Sequence, residues 1–573
     1  MRSRVVLTAI AIVATSLGSV GAARAEPTRA PQPTCKGREL CVGAAKVPVS
    51  PDARTVAGVM ETRLEAAPRL QRFHLGGYGI NPLGGLPDPD GSIAAALTEP
   101  ASKPLFVGSH GPERIWVRAM VVSQPSGATV VFVTLDAIGA GNVIQDRLTS
   151  AVSAATGIPA ANVVFGQTHT HAGPDLQGLW GGVPQSWIEG TLYPGAVRAV
   201  RDALRASEPA TLRVRSGVLD QYDRYRRPRR LDQDVQPDRL SSLVQARAVD
   251  DGAVLASLLQ YAAHPTSVDE DVRIPHPDYV LGAMDWIERY QGGTALYFNG
   301  PIADASPAGS RAGCQPSSDG TYGEVRCRGE GLARDTLAFR PGPALAPTLQ
   351  VRHVTVTVPV TNPLFLGAGV GEAFNRYYDF LDVPVKDLPG VGPLVAQGQL
   401  DLPQLTPTAT TEVSRITIGG AAHGLEIVTI PGEATGTFGA WVRHLARPGA
   451  HVVLLGLTHN SFGYILPEEE FSYVDETGGD GLLVPFTGYE EFVSLGPLTA
   501  PLLRANAYVP LFGADPAEAL PPVLTACARS LNAPPCLVLV ARQRLAAAQR
   551  GLTSQCVEAG GPKELCDRLR VTR

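Results

Sequence analysis

The sequence lacks any surplus of positive charge: 49 Lys and Arg stand against 54 Asp and Glu, giving a formal charge of −5 over 573 residues. Loss of Arg2, Arg4 and Arg24 with the leader described below makes the chain more acidic still. General nucleic-acid binding is carried by excess Lys and Arg, so no nucleic-acid partner is expected. Beyond the N-terminus no run of about 18 apolar residues occurs, and nothing else should span a bilayer. Pro (49) and Gly (61) make up under a fifth of the chain, below the roughly 25–30% that marks low-complexity sequence. Ordered loops and many turns are expected instead. Several signatures are also missing. There is no H-E-x-x-H, no G-x-S-x-G elbow, no P-loop and no EF-hand loop, and no C-x2-C spacing for a zinc finger. Serine-hydrolase chemistry therefore lacks its usual mark.

What is present begins with an address. Met1–Arg4 is basic, the stretch from Val5 to about Val20 is mostly apolar, and Ala23-Arg24-Ala25 offers small residues for cleavage. This pattern predicts a secretory signal over 1–25, cut before Glu26, and hence a secreted protein. The apolar stretch is short and broken by Thr, Ser and Gly, which argues against a membrane anchor. All eight Cys follow it, in the couples Cys35/Cys41, Cys314/Cys327, Cys527/Cys536 and Cys556/Cys566. In an oxidising compartment these read as disulfides, with the last four paired in sequence or crossed to staple a helical hairpin. The organisation expected is a Cys-clipped leader at 26–41, a large catalytic domain at 42–510, and a disulfide-tied appendage at 511–573.

Within the large domain, strand-type and helix-type patterns alternate. Ala128–Leu135 is a β-branched apolar run, Val143–Ala155 has helical spacing, and Asn162–Phe165 returns as a strand. Leu255–Tyr261, Thr294–Phe298, Leu425–Ile430 and Val452–Leu457 read as buried strands, and Thr435–Leu445 as a helix. The strand–helix–strand order predicts an α/β fold with mixed, largely parallel sheets covered by helices. Gly367–Gly371 is not followed by a dinucleotide-binding unit and reads as a loop.

Chemistry-bearing residues gather just after these strands, where sites form in open α/β sheets. Asn162–Phe165 runs into Gly166-Gln-Thr-His-Thr-His-Ala-Gly-Pro174, Leu255–Tyr261 into Ala262-Ala-His-Pro-Thr-Ser267, and Thr294–Phe298 into Asn299-Gly-Pro-Ile-Ala-Asp-Ala-Ser-Pro307. Leu425–Ile430 runs into Pro431-Gly-Glu-Ala434, and Val452–Leu457 into Thr458-His-Asn-Ser-Phe-Gly-Tyr464. Imidazoles and a carboxylate converging in one pocket suit Zn²⁺. On an extended segment His169 and His171 point the same way. Taken alone, that pair fits hydrogen-bonded loop histidines equally well; His264 and Glu433 in matching positions favour a metal site. Ser306 follows Asp304 beyond a strand and is a turn serine unless a substrate lies beside it. The run Arg224-Tyr-Arg-Arg-Pro-Arg-Arg230 is a solvated basic loop or the source of a substrate clamp. Tyr464 and Tyr489 would ordinarily be half-buried aromatics, and Pro467–Glu470 a helix start with acids at its positive end.

At these residues the sequence resembles the neutral ceramidases, secreted or membrane-associated zinc amidohydrolases that cleave N-acylsphingosines. The resemblance is carried by Thr168-His-Thr-His-Ala-Gly-Pro174, Ala263-His-Pro-Thr-Ser267, Asp304-Ala-Ser-Pro307, Ile430-Pro-Gly-Glu433, Tyr464 with the following Pro-Glu-Glu-Glu, and Tyr489-Glu490 with Leu495-Gly-Pro497. It implies Zn²⁺ bound by His169, His264, Glu433 and Tyr464. It implies His171 as the residue that assists proton transfer or holds the oxyanion, with Tyr489 beside it. Arg224, or else Arg226 or Arg227, falls where the family has a functional arginine, and Ser306 matches a substrate-proximal serine. The chain departs from the family at Ala172, commonly Ser, and at Ala303-Asp-Ala-Ser-Pro307, commonly Gly-Asp-Val-Ser-Pro. The interval from Tyr464 to Tyr489 is longer than usual, and the tail after Pro510 is too short for the immunoglobulin-like domain of well-known members. The expected function is zinc-dependent hydrolysis of the amide of ceramide or a similar N-acyl lipid, with a lipid-like substrate and peripheral contact with a membrane surface. The alternatives are a zinc hydrolase of another amide or ester, or a secreted lipid-binding protein without catalysis.

Overall fold

Strands dominate the computed structural model, which describes residues 35 and 37–520 apart from 62–67, 78–113, 126, 179, 227–235, 269–272, 310–321, 361, 363–407, 421–422, 468–469, 471–488 and 497. In chain order they are Leu40–Pro48 (β1), Val59–Glu61 (β2), Arg69–Gln71 (β3), Trp116–Ser123 (β4), Thr129–Leu135 (β5), Val163–Gln167 (β6), Glu208–Val218 (β7), Asp223–Tyr225 (β8), Leu240–Ala248 (β9), Val254–Tyr261 (β10), Thr294–Asn299 (β11), Ala305–Pro307 (β12), Leu349–Pro359 (β13), Thr408–Ile418 (β14), Leu425–Thr429 (β15), Glu433–Ala434 (β16), His451–Leu455 (β17) and Tyr464–Ile465 (β18). One sheet has eight strands in the order β11-β10-β9-β7-β1-β4-β5-β6, and a second has four in the order β13-β14-β15-β17.

Side-chain alternation sets the layers. Val131, Val133 and Leu135 of β5 pack with Val117, Ala119 and Val121 of β4 against the helices Asn142–Thr156 and Tyr193–Arg205. The intervening residues Val130, Phe132, Met120 and Val122 face the other way, onto Ile416, Ile418, Leu425, Ile427, Val453 and Leu455 of the second sheet. A period of two thus gives each strand two apolar faces, one for helices and one for a neighbouring sheet. The far face of the second sheet is covered by Phe438 and Val442 of the helix Gly436–His444 and by Leu502, Leu503 and Tyr508. Four layers result: helices, sheet, sheet, helices. Each fully buried Val, Leu or Phe contributes about 1.5–3 kcal/mol to holding them together.

The mixed α/β class expected from the sequence is the class observed, but parallel pairing is the minority. In the two large sheets it joins β5 to β6, β10 to β11 and β15 to β17; the other ladders there are antiparallel. Connection length accounts for the three parallel pairs and for three of the seven antiparallel ones. Parallel neighbours need a crossover, supplied here by the helices Asn142–Thr156, Tyr279–Gln291 and Gly436–His444, whereas β4–β5, β9–β10 and β14–β15 are joined by short turns that force reversal. The six strands of these three crossover units and two of their helices coincide with those read from the sequence to within a residue or two, whereas the helix Tyr279–Gln291 is not among those read. Cys35 and Cys41 are disulfide-bonded, and Cys41 is itself the second residue of β1. Cys327 is also in a disulfide, while Cys314, Gly367–Gly371 and the tail from 521 onward lie outside the described residues. Among the described residues no helix is long and apolar enough to cross a membrane.

Candidate metal centre

The carboxyl ends of the parallel strands meet at one place. Beyond β6, the N–H groups of Thr168 and His169 donate to the carbonyls of Leu135 and Ala137 at 2.9 and 2.8 Å, extending the pairing with β5 past the strand end. His169 then takes a left-handed conformation, φ 65°. The rings of His169 and His171 do come together, edge-on with centroids 5.1 Å apart. The alternation of an extended segment is not what joins them, because the backbone turns at His169. Beyond β10, the His264 N–H donates to the Ala305 carbonyl at 3.0 Å, and the His264 ring lies 5.1 Å from that of His169.

Hydrogen bonds fix which nitrogen of each ring is free to coordinate. His169 Nδ1 lies 2.6 Å from the Ile138 carbonyl, and His264 Nδ1 lies 2.8 Å from the Ala305 carbonyl. A carbonyl can only accept, so each Nδ1 carries the proton and each neutral ring presents a lone pair at Nε2. Both Nε2 atoms face one oxygen: Glu433 Oε2 is 3.2 Å from His169 and 3.0 Å from His264. All three residues are buried, with exposures of 4%, 0% and 6%. Burial, and then the positive charge of Arg226, push the His264 pKa down to about 4 against the pull of Glu433. For Glu433, burial alone would raise the carboxyl, but the adjacent His169 and His264 outweigh it and hold it well below the usual range. With each Nδ1 proton committed to a carbonyl, the neutral forms of the two rings and the Glu433 carboxylate set three electron-pair donors facing each other out of water. Such an arrangement calls for a cation between them, and two imidazole nitrogens with one carboxylate oxygen are a set that a metal ion accepts. Ligand atoms of His169, His264 and Glu433 all lie within 4.8 Å of one another, so this trio could hold a metal ion.

Tyr464 joins the trio through the short ladder β16/β18, where it pairs with Glu433. Its hydroxyl is 3.4 Å from His264 Nε2. The arginine at this hydroxyl is Arg226, which donates from Nη2 at 2.7 Å and from Nε to Glu490 Oε1 at 3.1 Å. Arg224 goes elsewhere. It sits in the β8/β12 ladder opposite Ser306 with its side chain in solvent, whereas Arg226 lies past the end of β8 with its N–H held by the Asp304 carbonyl. Ser306 is half-buried in that ladder. Tyr489 begins the helix Tyr489–Phe492, and its side chain lies outside the described residues. His171 lies 5.1 Å from His169 and 6.2 Å from His264, centroid to centroid. Burial first, then the charges of those two rings, keeps its pKa well below the usual imidazole range.

Several supporting residues carried no signal strong enough to be singled out. Asp278, at φ 59°, accepts from the N–H groups of Ser267, Val268 and Tyr279 at 2.7, 2.7 and 2.6 Å, bracing the His264 loop while capping the helix Tyr279–Gln291. Its own N–H donates to His276 Nδ1 at 2.8 Å, and the His276 carbonyl accepts from the Thr170 hydroxyl at 2.7 Å, which ties in the His169 loop. An Asp before a helical pattern is the cap signal that could have found it. Asp175 gathers four backbone N–H groups, those of Gln177, Gly178, Trp180 and Gly182. Glu470 is buried and accepts from the Thr435 hydroxyl at 3.1 Å, a tie between site loops instead of an acid on an exposed helix start.

No model of a protein family matches this sequence, and no curated protein matches it by sequence. Its fold, however, is similar to that of a solved neutral ceramidase from Pseudomonas aeruginosa, with a TM-score of 0.53 and 19% identity over 81% of this chain and 75% of that one. A structure described as a ceramidase complexed with C2 is similar to the same degree, with a TM-score of 0.53 and 18% identity over the same shares. The chain therefore has a ceramidase-like mixed α/β fold whose strand ends carry a buried His-His-Glu trio.

Proposed function

We propose that this protein is a zinc-dependent amidohydrolase that cleaves the amide of ceramide or a similar N-acyl lipid. The observation that carries the reading is the trio itself: two Nε2 lone pairs and a carboxylate oxygen, buried and mutually facing, in a fold shared with a ceramidase. His169, His264 and Glu433 would hold the ion, with Tyr464 at its side. Zinc in such a set supplies Lewis acidity toward a carbonyl and brings the pKa of water toward ~7.

The chain's own residues supply the rest. Burial of the trio excludes bulk water, which strengthens every charge interaction inside. Arg226 holds the Tyr464 oxygen at 2.7 Å, and its positive charge beside the trio would stabilise negative charge developing on an amide oxygen bound there; one such donor is typically worth ~3–4 kcal/mol in the transition state. His171, kept neutral by burial and its neighbours, is set to take a proton during attack and return it to the departing nitrogen. The resemblance adds Tyr489 and Ser306 on the substrate side. The same proposal takes 42–510 as the catalytic domain and 511–573 as an appendage, with export after loss of 1–25; the leader pattern and the Cys35–Cys41 bond support export.

The test is elemental analysis of the purified protein with hydrolysis assays on fluorescent ceramides, short soluble amides and esters, with and without chelator. Zinc near one per chain and chelator-sensitive ceramide cleavage are expected. Full zinc occupancy in Glu433→Ala, or cleavage that survives metal removal, would overturn the assignment. Cleavage of short amides but never of ceramides would keep the metal and discard the lipid.

A further inference from the structure

The His171 ring is set by a piece of bare backbone. Gly77 has φ +106°, and a β-carbon built on it would fall 2.4 Å from His171 Nδ1, 2.5 Å from His171 Cγ and 2.8 Å from Ile138 Cδ1. Side-chain atoms do not approach so closely. At Gly76 a β-carbon would meet Ile138 Cγ2 at 2.5 Å. Ile138 is the residue whose carbonyl orients His169, so the two glycines lie against both the proton-transfer ring and the support of a ligand ring. Backbone pairing holds them there: Leu75 bridges to Pro174, the Gly76 N–H donates to Gly173 at 3.0 Å, and Asp175 N–H donates to His74 at 3.0 Å.

We propose that Gly77 is the positioning residue for His171. Its unsubstituted α-carbon closes the Nδ1/Cγ edge of the imidazole and allows the ring one setting. The catalytic half rests on the amidohydrolase reading; the steric half does not. A side chain at 77 must either push the ring out or lift the loop from Ile138. Sequence inspection gives no hint of this, since Gly-Gly before Tyr78 reads only as a flexible joint.

The experiment is a double-mutant cycle in the full chain with Gly77→Ala, His171→Ala and the pair, followed by zinc content, kcat, KM and thermal melting. Gly77→Ala should keep its zinc, lose kcat by about 10²-fold or more, and leave KM within about threefold. It should also melt several degrees lower. Removing the ring removes the clash, so the pair should melt above Gly77→Ala and have the kcat of His171→Ala. Strain from φ +106° is common to Gly77→Ala and the pair, so their difference isolates the ring. Gly77→Ala with wild-type kcat, or a pair whose losses in kcat and melting equal the sum of the singles, overturns the proposal. If Gly77→Ala does not fold, recovery of folding in the pair supports it and failure of both overturns it. A wild-type protein that cleaves no amide sinks the functional reading, while the melting cycle still decides whether Gly77 sets the ring.

Discussion

The two histidine arms of the centre are built alike and braced differently. Each histidine follows one strand of a parallel pair, and the carbonyl that orients it comes from the segment after the other strand: Ile138 after β5 for His169 beyond β6, and Ala305, the first residue of β12 after β11, for His264 beyond β10. A parallel pair thus delivers a ligand and its orienting acceptor together. The difference lies in the backbone. His169 reaches its place through a left-handed residue, whereas His264 stays on its strand's course and its loop is braced by the strained Asp278. One arm concentrates the strain at the ligand, and the other displaces it to a brace fourteen residues on. The same chemistry can therefore be reached with strain in different places, provided the acceptor for Nδ1 is fixed.

Glu433 is common to both arms, so Glu433→Ala should break them together. Loss of zinc and of measurable turnover is expected, read by elemental analysis and amide hydrolysis. Retention of metal by either arm alone would show that the arms bind independently. Arg226 reaches the His264 side through Tyr464. Arg226→Ala should lower kcat by about 10²–10³-fold, or ~3–4 kcal/mol, while Arg224→Ala, a change in solvent, should alter stability by no more than about 0.5 kcal/mol. Equal effects of the two would break the distinction that the end of β8 makes between them.

The brace joining the arms is acid-sensitive. Burial, with Arg326 nearby, depresses the His276 pKa to about 4, and its Nδ1 must stay unprotonated to accept from Asp278. The folded value lies below the unfolded one of about 6.5, so stability from this group is present above pH ~6.5 and is lost as the pH falls toward 4. The full loss is roughly 3 kcal/mol. Urea unfolding at pH 7.5, 5.5 and 4.5 should show the decline, and His276→Asn should make it shallower, His264 and His459 carrying the rest with their own values of about 4; an unchanged slope would remove His276 as a source. A smaller effect than that of His276 is expected on the carboxylate arm, where Thr435 caps the helix Gly436–His444 through Phe438 N–H. Thr435→Ala should cost about 1–2 kcal/mol in unfolding free energy without loss of zinc.

Much of this centre was legible in the sequence because the parallel strands are short apolar runs that stop at His, Glu, Asp or Tyr. The antiparallel middle was not. β9 carries buried Ser241, Ser242 and Gln245, and β4 a buried Arg118 paired with Glu288, so polar residues interrupt the apolar pattern where the strands are most enclosed. The prevalence of antiparallel pairing was missed for the same reason: the strands that carry it gave no clear signal. Arg226 could not be separated from Arg224 by spacing, since the choice depends on where the three-residue strand β8 leaves its ladder. The left-handed turn at His169 likewise has no mark in a sequence whose other left-handed turns are mostly glycine.

The centre also straddles the two sheets. His169 and His264 belong to the eight-stranded layer, while Glu433 and Tyr464 extend from the four-stranded one. An ion gripped by all of them would rivet the sandwich shut at one edge. Heat tolerance would then rise with the concentration of free cation, and stripping the ion would loosen the seam between the layers as surely as it silenced the chemistry.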